Sequence, residues 1–385
     1  MSRRDFPAEE FLDRRRKAAA AVGAAGLDWL LIVHPVTIHW LTGSDAKGYQ
    51  AFQCLLLPAS GAPLILVTRE SERAEVEADA VFNELHLWGG AQGEDPFAVL
   101  HEQAVKHDLL RARIGLEIPP FYLHPRHLRQ LESLFGDAFV GEANRVLDEV
   151  RLVKSAREIT YLREAGRLAD RSIAAFGRAL AEGVSELELT AAIYGTLLSG
   201  GGGLPASPLN LVSGERAAFS HGGPTERRLA DGDSGNVEYG APYRRHTVTI
   251  GRSFCLGEPH ARLRELYQVV RAAYEACISA IAPGVPASRP HEAARRVIRE
   301  AGLEPHRAHT TGYGIAPGFP PAAGEAFHLE DGNDRPLLAG MALSICPPVF
   351  IAEERLGARI ADTVLVTEAG AERLSHSSPD LICVG

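Results

Sequence analysis

The feature that most constrains this chain is a change of rhythm near residue 148. Before it, short apolar runs alternate with segments of helical period. The pattern predicts a helix over residues 8–25 stopped by Gly26, and a buried strand at Trp29–Val33. Strands at 52–57 and 64–67 follow, joined by a turn at Ala59-Ser60-Gly61. A helix at 69–79, a strand at 84–88, a helix at 97–105, a strand at 113–117 and a helix at 125–135 complete the series. Strands alternating with helices at this spacing build an α/β domain, expected over residues 1–147. The Arg14-Arg15-Arg16-Lys17 run reads as a solvated helix face. From Glu149 to Glu182 the chain is charged and helical in period, with Gly183 as its stop. Helices at 155–182, 186–198, 259–282 and 289–302 then surround strands at 233–240, 244–254, 341–351 and 357–367. Runs of helices with long antiparallel strands predict an α+β second domain over residues 148–385.

Composition narrows the function. The 385 residues suffice for two cores. Lys and Arg number 40 against 49 Asp and Glu, a net charge of -9, which argues against a nucleic-acid face and suits a cationic or zwitterionic small substrate. The five cysteines are odd in number, far apart and contain no CxxC pair. That fits a reducing compartment and predicts neither a disulfide framework nor a zinc knuckle. The start, Met1-Ser2-Arg3-Arg4-Asp5, is not apolar enough for a signal peptide, and no run is long enough to span a bilayer. A cytoplasmic protein without membrane or nucleic-acid partners is expected. Gly200 to Gly203 lack the Lys and Ser/Thr of a phosphate loop.

Several stretches resemble the creatinase, prolidase and aminopeptidase P family. Arg151-Leu-Val-Lys154-Ser-Ala-Arg-Glu158 is similar to its opening helix signature, and Asn236-Val-Glu238-Tyr-Gly240 to its first core hairpin. Ser344-Ile-Cys346-Pro347 resembles its late strand, and Ala361-Asp-Thr-Val-Leu-Val-Thr-Glu368 its final hairpin. Gly26-Leu-Asp-Trp-Leu-Leu-Ile and Thr37-Ile-His-Trp-Leu-Thr-Gly43 resemble its N-terminal domain. The resemblance implies an α/β creatinase-like first domain and an α+β pita-bread second domain. It also implies a homodimer, in which Trp40 and Tyr49 are candidate rim residues for a neighbour's site or else core.

The peptidases of that family hold two metal ions with two Asp, one His and two Glu, because hard cations need several carboxylates and a bridging water loses its proton between them. The resemblance places the first Asp on Glu238 and the second, eleven residues on, at Thr249. The metal His falls on Tyr313, the first Glu on Cys346, and the last on Ala361. A further substrate-facing His falls near Pro320. One carboxylate in five positions does not make a two-metal site, so no metal and no cofactor are expected. A single zinc on Glu238, His246 and Cys346 is the lesser alternative, since the residue types suit it.

Among metal-free relatives, creatinase resembles this chain at His221, its general acid/base. Its two guanidinium-gripping glutamates fall on Gly251 and Cys346. The ectoine hydrolase branch resembles it more closely, through Glu238 and the stretch Gly312-Tyr-Gly-Ile-Ala-Pro-Gly-Phe-Pro-Pro321. The chain departs from that branch at Ala322-Ala323 and at His246-Thr247. The expectation is therefore a metal-independent hydrolase of a C–N bond in a small amidine, guanidine-like or cyclic imine compound, with peptidase activity not expected. The rivals are a pseudo-peptidase that only binds, and an Xaa-Pro peptidase with an unusual metal site.

Such chemistry needs a carboxylate to pair with a cation or act as base, a histidine to move protons, and a hydroxyl to orient water. The catalytic candidates are Glu238, His221 and Tyr313. Each has a plainer account. His221 sits in a Gly/Pro-rich turn where surface histidines are common, Glu238 on a strand is costly unless paired, and Tyr313 between two glycines fits a plug of the former metal cavity equally well. The substrate-binding candidates are His246, Cys346, His309 and Glu325. His246 after Arg244-Arg245 also reads as a solvated edge residue, and Cys346 as a small buried one. Glu325 and His328 read as a loop, either folded over the site or on the surface.

Overall fold

The computed structural model describes residues 5–90 and 95–385. They divide into two units, Met1–Arg151 and Leu152–Gly385. In the first, the elements run α1 (Ala8–Ala24), β1 (Trp29–Ile32), α2 (Pro35–Thr42), β2 (Cys54–Pro58), β3 (Ile65–Arg69), α3 (Arg73–Asp79) and β4 (Glu84–Trp88). They continue α4 (Pro96–Lys106), β5 (Ile114–Glu117), α5 (Pro125–Phe135), β6 (Phe139–Glu142) and α6 (Arg145–Leu152). The strands form one sheet in the order β4-β3-β2-β1-β5-β6. β1 is antiparallel to β2 and parallel to β5. Successive strand side chains point to opposite faces. Leu31, Cys54 and Leu56 thus join Leu100 and Phe135 in one core, while Leu30, Leu55 and Leu57 join Ala18 and Val22 in another. Both faces are covered, so β1 and β2 read as unbroken apolar runs.

The basic run of α1 departs from expectation. Arg14 is 4% exposed. It donates to the Trp40 carbonyl at 3.0 Å, pairs with Glu10 at 2.8 Å and stacks over Phe6. A partner carboxylate one turn back makes that burial affordable, whereas Arg16 and Lys17 stay exposed and share Asp13.

The second unit contains α7 (Ala156–Ala179), α8 (Glu186–Ser199), β7 (Asn210–Ser213), β8 (Ser234–Tyr243), β9 (His246–Leu256), α9 (Ala261–Ser279) and α10 (Ser288–Glu300). After them come β10 (Gly312–Phe319), β11 (Ala322–Leu329), β12 (Ala342–Ile345), β13 (Val349–Ile351), β14 (Leu356–Ala358), β15 (Ala361–Thr367), β16 (Gly370–Arg373) and β17 (Ile382–Val384). The main sheet runs β11-β10-β12-β15-β9-β8-β7, with β16 on β15 and β17 on β9. One face packs on α7 and α8, around Phe176 and Phe254 with ring centroids 5.2 Å apart. Leu266, Val270 and Ile298 of α9 and α10 build a separate core with Leu343 and Val364 of the sheet. Among the described residues no helix is long and apolar enough to cross a membrane.

The helix expected over 155–182 forms as α7, with Ser155 as its cap: its side chain accepts from the Glu158 N–H while Glu158 accepts from the Ser155 N–H. Two departures in this unit have local causes. The strand expected over 341–351 stops at Cys346-Pro347-Pro348, since prolines cannot donate to a ladder. Residues 322–329, read as a loop, are strand β11. Glu325 on it is buried and ion-paired with Lys154 at 2.8 Å, which is what allows a carboxylate to face the interior.

These contributions differ in size. Phe176→Ala, which empties a fully buried site, is expected to destabilise this unit by about 3–5 kcal/mol. Ser155→Ala, which removes one cap, is expected to cost about 1 kcal/mol. Chemical denaturation of the two variants should rank them in that order.

Candidate active site

The site is built on a row that crosses four strands. Asn210 of β7 stands opposite Glu238 of β8, Glu238 opposite Gly251 of β9, and Gly251 opposite Ala361 of β15. Residues directly opposite in a sheet share a face, so this row presents one carboxylate between small neighbours. Thr249 lies two residues from Gly251 on that same face. Its N–H donates to the Thr363 hydroxyl at 2.8 Å. Thr363 in turn stands opposite Ser344, and Ser344 opposite Tyr313 of β10. A partly enclosed cavity of about 140 Å³ rests on this face, lined among others by Asn210, Glu238, Thr249 and Tyr313. His221 and His309 enter from loops.

Glu238 is held from three sides. Arg359 Nη1 lies 2.8 Å from its Oε2, the Asn210 amide donates to the same oxygen at 3.2 Å, and the Cys346 thiol faces Oε1 at 3.6 Å. Burial, followed by the negative neighbour Glu238, pushes the Cys346 thiol far above its ordinary value, so it stays protonated. Burial together with Glu238 also pushes the Tyr313 phenol up to about 12, against the opposing hydroxyls of Ser344 and Thr249. Tyr313 is therefore a hydrogen-bond donor at neutral pH. Its ring rests on Gly324, where a Cβ would lie 3.4 Å from the ring edge.

His221 lies at the pocket mouth, exposed on one side, with its ring 5.5 Å from that of His309. Partial burial, then the neighbouring His309 and Arg359, lower its pKa, while Glu238 pulls the other way. Neutral imidazole, able to accept a proton, is thus its form at neutral pH.

Glu238, His221, Tyr313 and His309 converge in one pocket, and Cys346 touches it through Glu238. His246 does not line it. Thr247 and Thr249 of β9 do, and strand alternation sends the residue before them to the other face. There His246 is 3% exposed, not a solvated edge, with Nε2 3.7 Å from Glu158. Glu325 is likewise absent from the lining, being turned toward Lys154. Arg359 went unread in the sequence. Its signal was a cation inside the otherwise apolar run Leu356-Gly-Ala-Arg-Ile-Ala, where only a buried anion could make it acceptable.

The donors present do not fit a dinuclear metal site. Of the five candidate positions only Glu238 is a carboxylate, and its oxygens already face Arg359, Asn210 and Cys346. Among the described residues, no group of three or more His, Cys, Asp or Glu is placed to hold a metal ion. The single-zinc alternative fails because His246 points away from Glu238 and Cys346.

Residues 160–368 match the model of metallopeptidase family M24, and residues 14–153 that of the creatinase/prolidase N-terminal domain. The chain belongs to metallopeptidase family M24. Its units are accordingly a creatinase-type N-terminal domain and a pita-bread C-terminal domain. This M24 chain is 33% identical to a probable dipeptidase PepE of Mycobacterium tuberculosis, over 100% of its own length and 99% of the relative's. A dipeptidase PepE structure from Mycobacterium ulcerans superposes with a TM-score of 0.86 at 30% identity, over 98% of this chain and 99% of that one. An Xaa-Pro dipeptidase from Bacillus anthracis, 23% identical over 97% of this chain and 100% of that one, shares the fold with a TM-score of 0.84. These relatives overturn the expectation of a metal-independent hydrolase of amidines or cyclic imines, and with it the expectation that peptidase activity is absent. A special likeness to ectoine hydrolase finds no support among them.

Gly251 offers a structural check. A Cβ there would lie 2.9 Å from the Ala361 Cβ and 3.2 Å from Arg359 Cδ. Gly251→Ala is expected to destabilise the protein by about 1–3 kcal/mol, because the sheet neighbour cannot withdraw. Thermal unfolding of the variant against the parent tests this; an unchanged midpoint would show that the row has slack.

Proposed function

We propose that this M24 chain acts on short peptides of the dipeptide class in the pocket over Glu238. The convergence of a carboxylate, a neutral histidine and a protonated tyrosine on one sheet face, within a fold shared end to end with dipeptidases, carries this reading. A dipeptide would seat one end in this cavity and leave the other near the exposed His221. Glu238 Oε1, which faces only the Cys346 thiol while Arg359 and Asn210 hold Oε2, is the acceptor for a substrate N–H. His221, neutral, takes a proton from the attacking water and returns it to the departing amine. Tyr313 donates to the carbonyl oxygen as negative charge develops on it. The family's metal pair has no donor set in this chain, and no step is assigned to it.

A second reading is a peptide-binding protein that no longer cleaves. It is favoured by the Arg359–Glu238 pair at 2.8 Å, which already neutralises the one carboxylate that a hydrolase would use.

Turnover of a dipeptide panel including Xaa-Pro, with and without added Mn²⁺ and beside His221→Ala, separates the two. Cleavage that the substitution lowers by about 100-fold or more supports the hydrolase. Ligand-induced thermal stabilisation without cleavage supports the binder. Cleavage that depends wholly on added metal would overturn the roles given to His221 and Tyr313.

The pH profile has a definite sign. Because burial, and then its neighbours His309 and Arg359, lower the His221 pKa, the neutral base persists below the ordinary imidazole value of 6.5 and is lost only as pH falls further. The acid limb of kcat/KM is therefore expected below 6.5, and His309→Ala, which removes one lowering charge, should move it upward. A limb at or above 6.5 in the parent would rule out His221 as the base.

A further inference from the structure

Arg359 is 2% exposed, yet its guanidinium serves two parts of the pocket that are far apart in sequence. Nη1 meets Glu238 of the sheet at 2.8 Å, and Nη2 donates to the Ser220 carbonyl at 2.7 Å, one residue before His221. Its backbone N–H is pinned by the Ser253 hydroxyl at 2.9 Å, and its guanidinium carbon lies 5.1 Å from the Phe350 ring centroid. Room for the side chain comes from Gly251, where a Cβ would press on Arg359 Cδ at 3.2 Å. On the far side of the same loop, the Gly222 carbonyl accepts from the Leu211 N–H at 3.0 Å.

We propose that Arg359 is a positioning residue which, as a cation built into the protein, fixes the Glu238 carboxylate and the His221 loop relative to each other. A planar fork suits the task, because Nη1 and Nη2 meet the two acceptors from separate, fixed positions, whereas a lysine ammonium is a single point on a flexible stem. The inference rests on the peptidase reading for the use of the pocket, not for the geometry.

The test uses the full chain and needs no substrate. The readouts are the NMR titration of His221 and hydrogen exchange at the Leu211 amide. In Arg359→Met the lowering charge is gone and Glu238 is unopposed, so His221 should titrate higher than in the parent, and Leu211 should exchange about ten-fold faster or more. Arg359→Lys keeps a charge but not the fork: it should hold the titration near the parent's and still lose the Leu211 protection. Glu238→Gln leaves the bond to Ser220 and should keep Leu211 protected. Glu238→Gln combined with Arg359→Met has no orphaned carboxylate, so it should fold and yet show the fast exchange. Parent-like Leu211 protection in the double variant, or in Arg359→Lys, would overturn the proposal, as would an unmoved His221 titration in Arg359→Met. Absence of dipeptide turnover would sink the peptidase reading while leaving these measurements to stand or fall separately.

Discussion

The buried pairing of Glu238 with Arg359 is the constraint on which the rest of the site depends. A carboxylate in the middle of a covered sheet face is tolerable only with a partner, and removing one member of such a pair typically costs about 3–5 kcal/mol. Once Arg359 answers Glu238, the neighbours follow. Gly251 must stay small beside its stem, and Cys346 and Tyr313 stay protonated beside its anion. The loop carrying His221 is tied to the same guanidinium through Ser220.

A second couple repeats the device on the other side of His221. Glu186, fully buried at the start of α8, accepts from Ser213 at 2.7 Å and from the Thr225 N–H at 2.8 Å, and pairs with Arg216 at 2.7 Å. Arg216 donates onward to the Gly223 carbonyl at 2.6 Å. The histidine is thus suspended between two arginine–carboxylate couples, each using one charge to cancel burial and its remaining donors to hold backbone. An irregular loop without ladder partners gains a defined shape in this way.

The fold and the chemistry of this M24 chain carry different information. The pita-bread sheet brings Glu238, Thr249, Tyr313 and Ala361 to one face, as its register requires, and Cys346, just past β12, meets Glu238 there. What those positions can do depends on their side chains, and a shared architecture does not transfer a mechanism. Likeness along the whole chain places it beside proteins named as dipeptidases, while among the described residues the donor set does not fit the family's dinuclear metal site.

The two-unit layout, the helices packed against the sheet and the long β8–β9 hairpin were legible in the sequence, because apolar periodicity and caps are local signals. So were the candidates Glu238, His221, Tyr313 and His309, by residue type and by their place in recognisable stretches. Strand β11 was not legible: Glu325 and His328 look polar until Lys154, distant in sequence, neutralises the glutamate. His246 was misjudged because its facing depends on a register parity that one residue reverses. By itself, then, the sequence determined which elements form and which chemical groups are available. Only the tertiary structure decided which of those groups meet, since the pairing of Arg359 with Glu238 and Ser220 is a long-range contact. Its energy comes from shared burial, and no local pattern records that.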